Sequence, residues 1–272
     1  MTLREAKSRL FKAGIESFDY DAKELFIRIG GCKPPLTPFT ECDSQRLVDA
    51  VERRSGREPL QYIIGEVGFY REVYEVSPDC LIPRADTEIL VDFAIGALKP
   101  GAYFADLCSG SGCVGVSVLN NTDDTSALAV DISSPALALT RKNAERNGVC
   151  ARLKTLECDL INDIKKLASY APFDAILSNP PYVKDAVYST LDKEIFAEPK
   201  IAFVGGEDGG DFYRVITEAA TDILSHEGFI AFEIGYDQRA LIEDIAEKNG
   251  FSCQIIKDYS DNDRVAVLRK AK

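Results

Sequence analysis

The 272-residue chain contains a single histidine, His226. A Ser-His-Asp or Cys-His nucleophile system needs a histidine beside its nucleophile, so one alone leaves little room for that chemistry. His226 also stands beside Glu227-Gly228 ahead of an apolar run, where a surface or loop role suits it better than catalysis. The eight cysteines, at positions 32, 42, 80, 108, 113, 150, 158 and 253, include no C-x-x-C pair. With one histidine to join them they offer no clustered zinc ligands, and no metal is expected. The amino-terminal stretch MTLREAKSRLFKAG lacks the apolar core of a signal peptide, so the thiols read as small apolar fillers in a reducing cytoplasm. No apolar run approaches the ~18 residues of a membrane-spanning helix. A basic excess is missing too. The net charge is −12, from 32 basic and 44 acidic side chains, and residues 84–272 alone carry 20 and 30. Proteins that grip nucleic acid through its phosphates show the opposite balance. The expectation is a cytoplasmic monomer with neither a membrane nor a direct nucleic-acid partner.

What is present divides the chain in three. Over residues 1–60, apolar residues recur at helical spacing: Leu3, Ala6, Leu10; then Ala22, Leu25, Phe26, Ile29; then Leu47, Val48, Val51. Pro34-Pro35 separates the second series from the third. Such short helices bury little alone and form a small helical domain of the kind that docks partners. Residues 61–83 are rich in aromatic and β-branched types broken by Gly65 and Gly68, which suggests a hairpin linker. From residue 84 strands and helices alternate, with strands expected at Tyr103–Leu107, Ala127–Asp131, Leu153–Leu156, Phe173–Ser178, Gly228–Ile234, Ser252–Tyr259 and Val265–Arg269. That alternation predicts an α/β domain with a mainly parallel sheet, its last two strands forming an antiparallel edge hairpin.

The strand at 103–107 runs into Asp106-Leu107-Cys108-Ser109-Gly110-Ser111-Gly112-Cys113-Val114-Gly115. Ligands of open α/β sheets bind beyond the carboxyl ends of strands, where glycines let the backbone approach closely. Gly110-x-Gly112-x-x-Gly115, with Asp131 ending the next strand, satisfies a dinucleotide pattern. Asp106 shifts the balance. A carboxylate is unwelcome beside a pyrophosphate but suits a cationic ligand such as S-adenosylmethionine. Asp131 could then accept from both ribose hydroxyls, while Asp159 and Leu160 flank the adenine.

The strand Phe173–Ser178 ends in Asn179-Pro180-Pro181-Tyr182. Two prolines stiffen this turn and remove two amide donors, so nearby carbonyls lack local partners. The Asn179 side-chain oxygen and the Pro180 carbonyl can together accept both hydrogens of a planar –NH2 group, with the Tyr182 ring stacked against it. An amide nitrogen is a poor nucleophile because its lone pair is delocalised. Acceptors that hold both N–H bonds aim the nitrogen at a methyl donor and stabilise positive charge developing there.

These residues resemble the release-factor glutamine N5-methyltransferases, which methylate the Gly-Gly-Gln glutamine of peptide chain release factors. The resemblance runs the length of the chain. It includes Glu58-Pro59-Leu60-Gln61-Tyr62, Ile64-Gly65, and Leu81-Ile82-Pro83-Arg84-Ala85-Asp86-Thr87-Glu88. It continues through the glycine loop, Ser178 to Tyr182, Glu198-Pro199, Gly205-Gly206-x-Asp208-Gly209 and Asp261-Asn262-x-Arg264. It implies a helical substrate-docking domain over 1–60, a hairpin linker over 61–83, and a seven-stranded, Rossmann-like S-adenosylmethionine-dependent methyltransferase domain over 84–272. It further implies that Asp106, Cys108, Ser109, Gly110, Ser111, Gly112, Asp131, Asp159, Leu160 and Asn179 bind the cofactor. Asn179, Pro180, Pro181 and Tyr182 would bind the glutamine, with Asn179, Pro180 and Tyr182 catalytic. Phe69 falls where the family places an aromatic beside that glutamine, and a ring over the substrate competes there with simple packing. Two departures stand out. Cys108 replaces a glycine, so a negative φ is expected there, because a Cβ makes a positive one costly. Ala85 replaces a proline and removes no polar group. Arg84, Asp86 and Glu88 read equally as a structural cluster or as the substrate mouth.

Four other functions compete. A ribosomal-protein glutamine methyltransferase shares the Asn-Pro-Pro-Tyr turn, but the 84–88 stretch favours the release-factor group. An adenine-N6 DNA methyltransferase presents a similar –NH2, yet the acidic domain argues against it. A nicotinamide-dependent oxidoreductase rests on the glycine loop alone, and a non-catalytic cofactor-binding module would not need Asn179.

Overall fold

The protein is described here as a computed structural model covering residues 1–271. The amino-terminal bundle begins at α1 (Leu3–Lys12), which opens on a reciprocal cap. The Thr2 hydroxyl accepts from the Glu5 amide at 3.3 Å, and the Glu5 carboxylate accepts from the Thr2 amide at 2.8 Å. Next come α2 (Phe18–Arg28), α3 (Gln45–Ser55) and α4 (Leu60–Ile64). Leu3, Leu10, Leu25, Phe26, Leu47 and Val51 form its core, joined by Leu60 and Ile63 of α4. The boundary expected at residue 60 therefore falls at the start of a helix that belongs to the bundle. Five residues were too few to betray a helical period. Arg54 on α3 is buried and satisfies three partners: Asp21 at 2.7 Å, the Glu58 carbonyl at 3.1 Å and Glu194 at 2.9 Å. The last of these ties the bundle to the turn at Lys193–Ala197, 140 positions further along the chain.

A two-stranded hairpin follows, β1 (Glu66–Phe69) against β2 (Glu72–Glu75). The larger unit then runs α5 (Glu88–Ala97), β3 (Tyr103–Leu107), α6 (Cys113–Asn120), β4 (Ser126–Asp131), α7 (Ser134–Arg146), β5 (Leu153–Glu157), α8 (Leu160–Asp163), β6 (Phe173–Ser178) and α9 (Asp185–Tyr188). It ends with α10 (Asp211–Ile223), β7 (Leu224–Glu233), α11 (Arg239–Lys248), β8 (Phe251–Lys257) and β9 (Asp263–Lys270). The seven-stranded sheet has the order β5-β4-β3-β6-β7-β9-β8. The first five strands are parallel, and β9 lies antiparallel between β7 and β8.

The central strands are apolar on both faces, which is why they read as continuous runs rather than alternating ones. Alternate side chains serve two cores. Phe104, Ala129 and Leu177 face α5, α6 and the hairpin, whereas Leu107, Leu128, Val130 and Ile176 face α10 and α11. Among the described residues no helix is long and apolar enough to cross a membrane. None of their His, Cys, Asp or Glu side chains cluster to hold a metal ion.

Candidate active site

The chain leaves the sheet centre at β3, builds outward to β5 and returns to β6 beside β3, so the order reverses between β3 and β6. Loops at the carboxyl ends of the strands part at such a switch point and leave a crevice. Here the Ser178 hydroxyl donates to the Leu107 carbonyl at 2.6 Å and pins the two strand ends together. Above them opens a cleft of about 330 Å³, walled by Cys108, Gly110, Asp131, Ile132, Asp159, Leu160, Ile161, Asn179, Pro181 and Phe212 among others.

The glycine loop is held in place from α7. Thr140 donates to the Gly110 carbonyl at 2.9 Å and Asn143 donates to the Ser111 carbonyl at 2.9 Å. Gly112 has φ +78, and a Cβ there would lie 2.7 Å from the Thr140 methyl. Asp131 accepts from the Gly110 amide at 2.8 Å through one oxygen and from the Ser133 amide at 2.9 Å through the other. Each oxygen keeps a further lone pair for a ligand. Burial raises the Asp131 carboxyl above the ordinary carboxylate range against the pull of these amides.

On the opposite wall the Asn-Pro-Pro-Tyr turn separates this cleft from a small second cavity of about 70 Å³, several times the ~10–15 Å³ a single water needs. Asn179 and Leu81 line both spaces, while Arg84, Tyr182 and Glu233 line only the smaller. The Asn179 amide nitrogen donates to the Thr87 hydroxyl at 3.1 Å, and its oxygen has no partner among the described residues. The Pro180 carbonyl is also free of hydrogen bonds there, and Pro180 itself is buried. Two unclaimed acceptors thus sit next to each other in the chain on a proline-stiffened turn, with Asn179 lining both spaces and Pro180 neither. The loop at 205–209 packs against its backbone. A Cβ on Gly205 would lie 2.4 Å from the Pro181 carbonyl oxygen, and one on Gly209 2.2 Å from that of Tyr182. Only glycine permits this approach.

Residues 87–222 match the family model described as methyltransferase small domain, and residues 2–65 match the PrmC N-terminal domain. The chain is 35% identical over 97% of its length to the release factor glutamine methyltransferase of Agrobacterium fabrum, covering 95% of that protein. For the protein of the same description from Clostridium botulinum the figures are 33%, 98% and 98%. The chain belongs to the release factor glutamine methyltransferase family. It is a methyltransferase that uses S-adenosylmethionine. Two solved structures share the fold. The ribosomal protein L11 methylase of Lactobacillus delbrueckii subsp. bulgaricus has TM-score 0.53 and 19% identity over 72% of this chain and 84% of its own. A methyltransferase of Pyrococcus furiosus has TM-score 0.53 and 20% identity over 73% and 89%.

The residues of this family member fit the cofactor. Ile132, Leu160, Ile161 and Phe212 give an apolar slot for a base, and Asp131 is placed at its edge for a diol. Ser109 Oγ is buried without a partner among the described residues. Other expectations change. Cys108 has φ +59 rather than a negative value, because the loop takes left-handed backbone at 108, 110 and 112 alike. The strain is of order 1–2 kcal/mol. Asp106, 1% exposed, stands behind the loop instead of in the cleft wall and accepts from the Gly115 amide at 2.9 Å. Burial pushes its carboxyl up to about 7. Ser109, Ser111 and Gly112 are likewise not among the residues that line the cleft. Asp159 reaches the cleft but caps α8, accepting from the Ile161 and Asn162 amides at 2.9 and 3.2 Å. Phe69 is 3% exposed, packed edge-on against Tyr74 in the core at 5.9 Å, and lines neither cavity. This placement accords with simple packing, and among the described residues no ring of the hairpin lines either cavity.

The family's 84–88 stretch is held by structural ties, while Arg84 also lines the small cavity and Thr87 meets Asn179. Arg84 pairs with Glu198, which also accepts from the Ile82 amide at 2.9 Å. Asp86 lies 3.2 Å from Arg264, and Glu88 accepts from the Tyr70 amide at 2.8 Å. His226 is exposed and remote from either cavity. Two residues to which the sequence argument gave no role in the site, Thr87 as a partner of Asn179 and Glu233 as a wall of the small cavity, come to it from distant segments. The one signal for Glu233 was a carboxylate inside the otherwise apolar run Phe229–Ile234.

Proposed function

We propose that the enzyme transfers a methyl group from S-adenosylmethionine to the side-chain amide nitrogen of the Gly-Gly-Gln glutamine of a peptide chain release factor. The observation that carries this reading is Asn179, whose oxygen is unclaimed and whose side chain is the polar wall common to the large cleft and the small cavity. The cofactor supplies an electrophilic sulfonium-bound methyl when bound in the large cleft. Asn179 Oδ1 and the Pro180 carbonyl accept the two N–H bonds of the glutamine amide. The nitrogen lone pair is thereby turned toward the cleft, and charge developing on nitrogen is stabilised where water is excluded. Tyr182 and Pro181 give the flat amide its stacking surface. The Tyr182 ring is held by its hydroxyl, which donates to Glu233 at 3.3 Å. Asp131 takes the ribose hydroxyls, Cys108, Gly110 and Leu160 contact the cofactor, and Asp159 has lone pairs left for the adenine amine.

The acidic surface, with net charge −12, favours a protein substrate over nucleic acid, and we read the chain as a cytoplasmic monomer. The test is methyl transfer from labelled S-adenosylmethionine to a purified release factor and to its variant lacking the Gly-Gly-Gln glutamine. Label in the first and none in the second is expected. Label that persists in the variant, or that enters only a ribosomal protein, refutes the assignment.

A further inference from the structure

Glu233 ends β7 and is 2% exposed. Among the described residues it is the only carboxylate lining the small cavity. One of its oxygens accepts from the Thr87 hydroxyl at 2.5 Å and the other from the Tyr182 hydroxyl at 3.3 Å. An ionised carboxylate can only accept, and a hydroxyl has one proton to give. With Glu233 ionised, the Thr87 proton is committed to it, and only lone pairs of Thr87 Oγ1 remain for Asn179. Asn179 meets them with its nitrogen, at 3.1 Å. Turned the other way, Asn179 Oδ1 would oppose Thr87 Oγ1 with no hydrogen between them, which leaves two acceptors unsatisfied.

We propose that Glu233 is a positioning residue for methyl transfer: acting through Thr87, it fixes the Asn179 amide with its oxygen free for the substrate. The inference rests on the reading that Asn179 grips the glutamine amide. A side-chain amide is nearly symmetrical in shape, so packing alone cannot choose between its two orientations, and only a hydrogen-bond partner of fixed polarity can. Here that polarity is imposed from β7 and passes through the first turn before α5 to the end of β6. The same carboxylate holds the Tyr182 ring, so one side chain sets both the acceptor and the stacking surface.

The experiment compares Glu233→Met, Thr87→Val, Thr87→Ser and Asn179→Ala in the full-length enzyme. It reads single-turnover methyl transfer to a release factor, cofactor affinity by calorimetry, and thermal stability. Glu233→Met frees the Thr87 proton and lets Asn179 reverse, and Thr87→Val removes the link. Each is expected to slow transfer about tenfold to a hundredfold with cofactor affinity unchanged. Thr87→Ser keeps the hydroxyl and recovers most of what Thr87→Val loses. Should Glu233→Met and Thr87→Val both run at the wild-type rate while Asn179→Ala is inactive, the relay is refuted and the grip on glutamine stands. Should Asn179→Ala itself be fully active, the underlying reading fails instead. A Thr87→Ser enzyme as slow as Thr87→Val assigns the effect to packing and overturns the proposal, a comparison that holds even if Glu233→Met does not fold.

Discussion

Gly205→Ala tests how closely the Asn-Pro-Pro-Tyr turn must be located. Gly205 does not have positive φ, so an alanine there suffers no backbone strain and its whole effect comes from contact. The added Cβ would lie 2.4 Å from the Pro181 carbonyl oxygen, 2.9 Å from Tyr182 Cα and 3.0 Å from the Gly209 carbonyl oxygen. All three are backbone atoms, so no flexible side chain can yield. Ordinary contact begins at 3.4 Å, and the turn or the loop must retreat by about 1 Å, a displacement that costs roughly 10²-fold in rate when reacting groups are misplaced by it. Overpacking of this kind costs about 1–3 kcal/mol, or about 2–4 °C of melting temperature per kcal/mol for a large domain. Asp131 and Gly110 lie on the other wall, so cofactor affinity falls far less than the transfer rate. Gly148→Ala is the control. Gly148 has φ +75, and an added methyl there would have nothing within 4 Å of it, so alanine costs about 1 kcal/mol through the backbone alone and leaves the rate intact. The measurements are single-turnover transfer at saturating cofactor, calorimetric binding and thermal melts of both variants. A Gly205→Ala enzyme that melts early yet transfers at the wild-type rate would show that the turn need not be held against the 205–209 loop.

Other expectations follow from the same geometry. Asp131→Ala removes charge-assisted bonds of about 1.5–3 kcal/mol and weakens cofactor binding roughly tenfold to a hundredfold; unchanged calorimetric affinity would remove Asp131 from the cofactor site. Arg54→Met strands the buried Asp21 carboxylate and destabilises by about 3–5 kcal/mol in urea unfolding, while adding Asp21→Leu restores most of it; a single variant as stable as wild type would refute the tie. Burial pushes Glu233 up to about 7 from an ordinary value of 4.5, with Thr87, Tyr182, Tyr213, Cys113, Asp86 and Arg264 around it. Its folded-state pKa is raised, so its contribution to stability is full below pH 4.5 and is lost as pH rises toward 7. Between those limits Glu233→Gln should lose less stability than wild type, and equal slopes would count against the burial effect. Methyl transfer moves oppositely, since a protonated Glu233 can donate to Thr87: the wild-type rate should fall below about pH 7, and Glu233→Gln should flatten that limb.

The strands flanking the site were legible in the sequence almost to the residue. Tyr103–Leu107 and Phe173–Ser178 are apolar on both faces and are stopped by groups no strand tolerates, a glycine loop and two prolines. The place of Asn179 was legible for the same reason, because the Asn-Pro-Pro-Tyr turn that ends β6 is local to four residues. What escaped depended on distant partners. Glu233 meets Thr87 across 146 positions, and nothing in either neighbourhood announces the other. Phe69 was read by its position beside an expected substrate, whereas the packing of Tyr74 beneath α5 and α6 decides where its ring goes. Cys108 was judged by its own preference, which the loop overrides with contacts from Thr140 and Asn143 at the neighbouring positions.

The place of β9 inside the sheet bears on how the polypeptide tolerates interruption. Residues 263–270 supply both neighbours of a gap, pairing with β7 on one side and β8 on the other. A late stop codon that removed these eight residues would orphan β8 entirely and open a long flank of β7, two bare ladders of amides and carbonyls ready to join another molecule. It would also take away Arg264, and with it the cation beside Asp86.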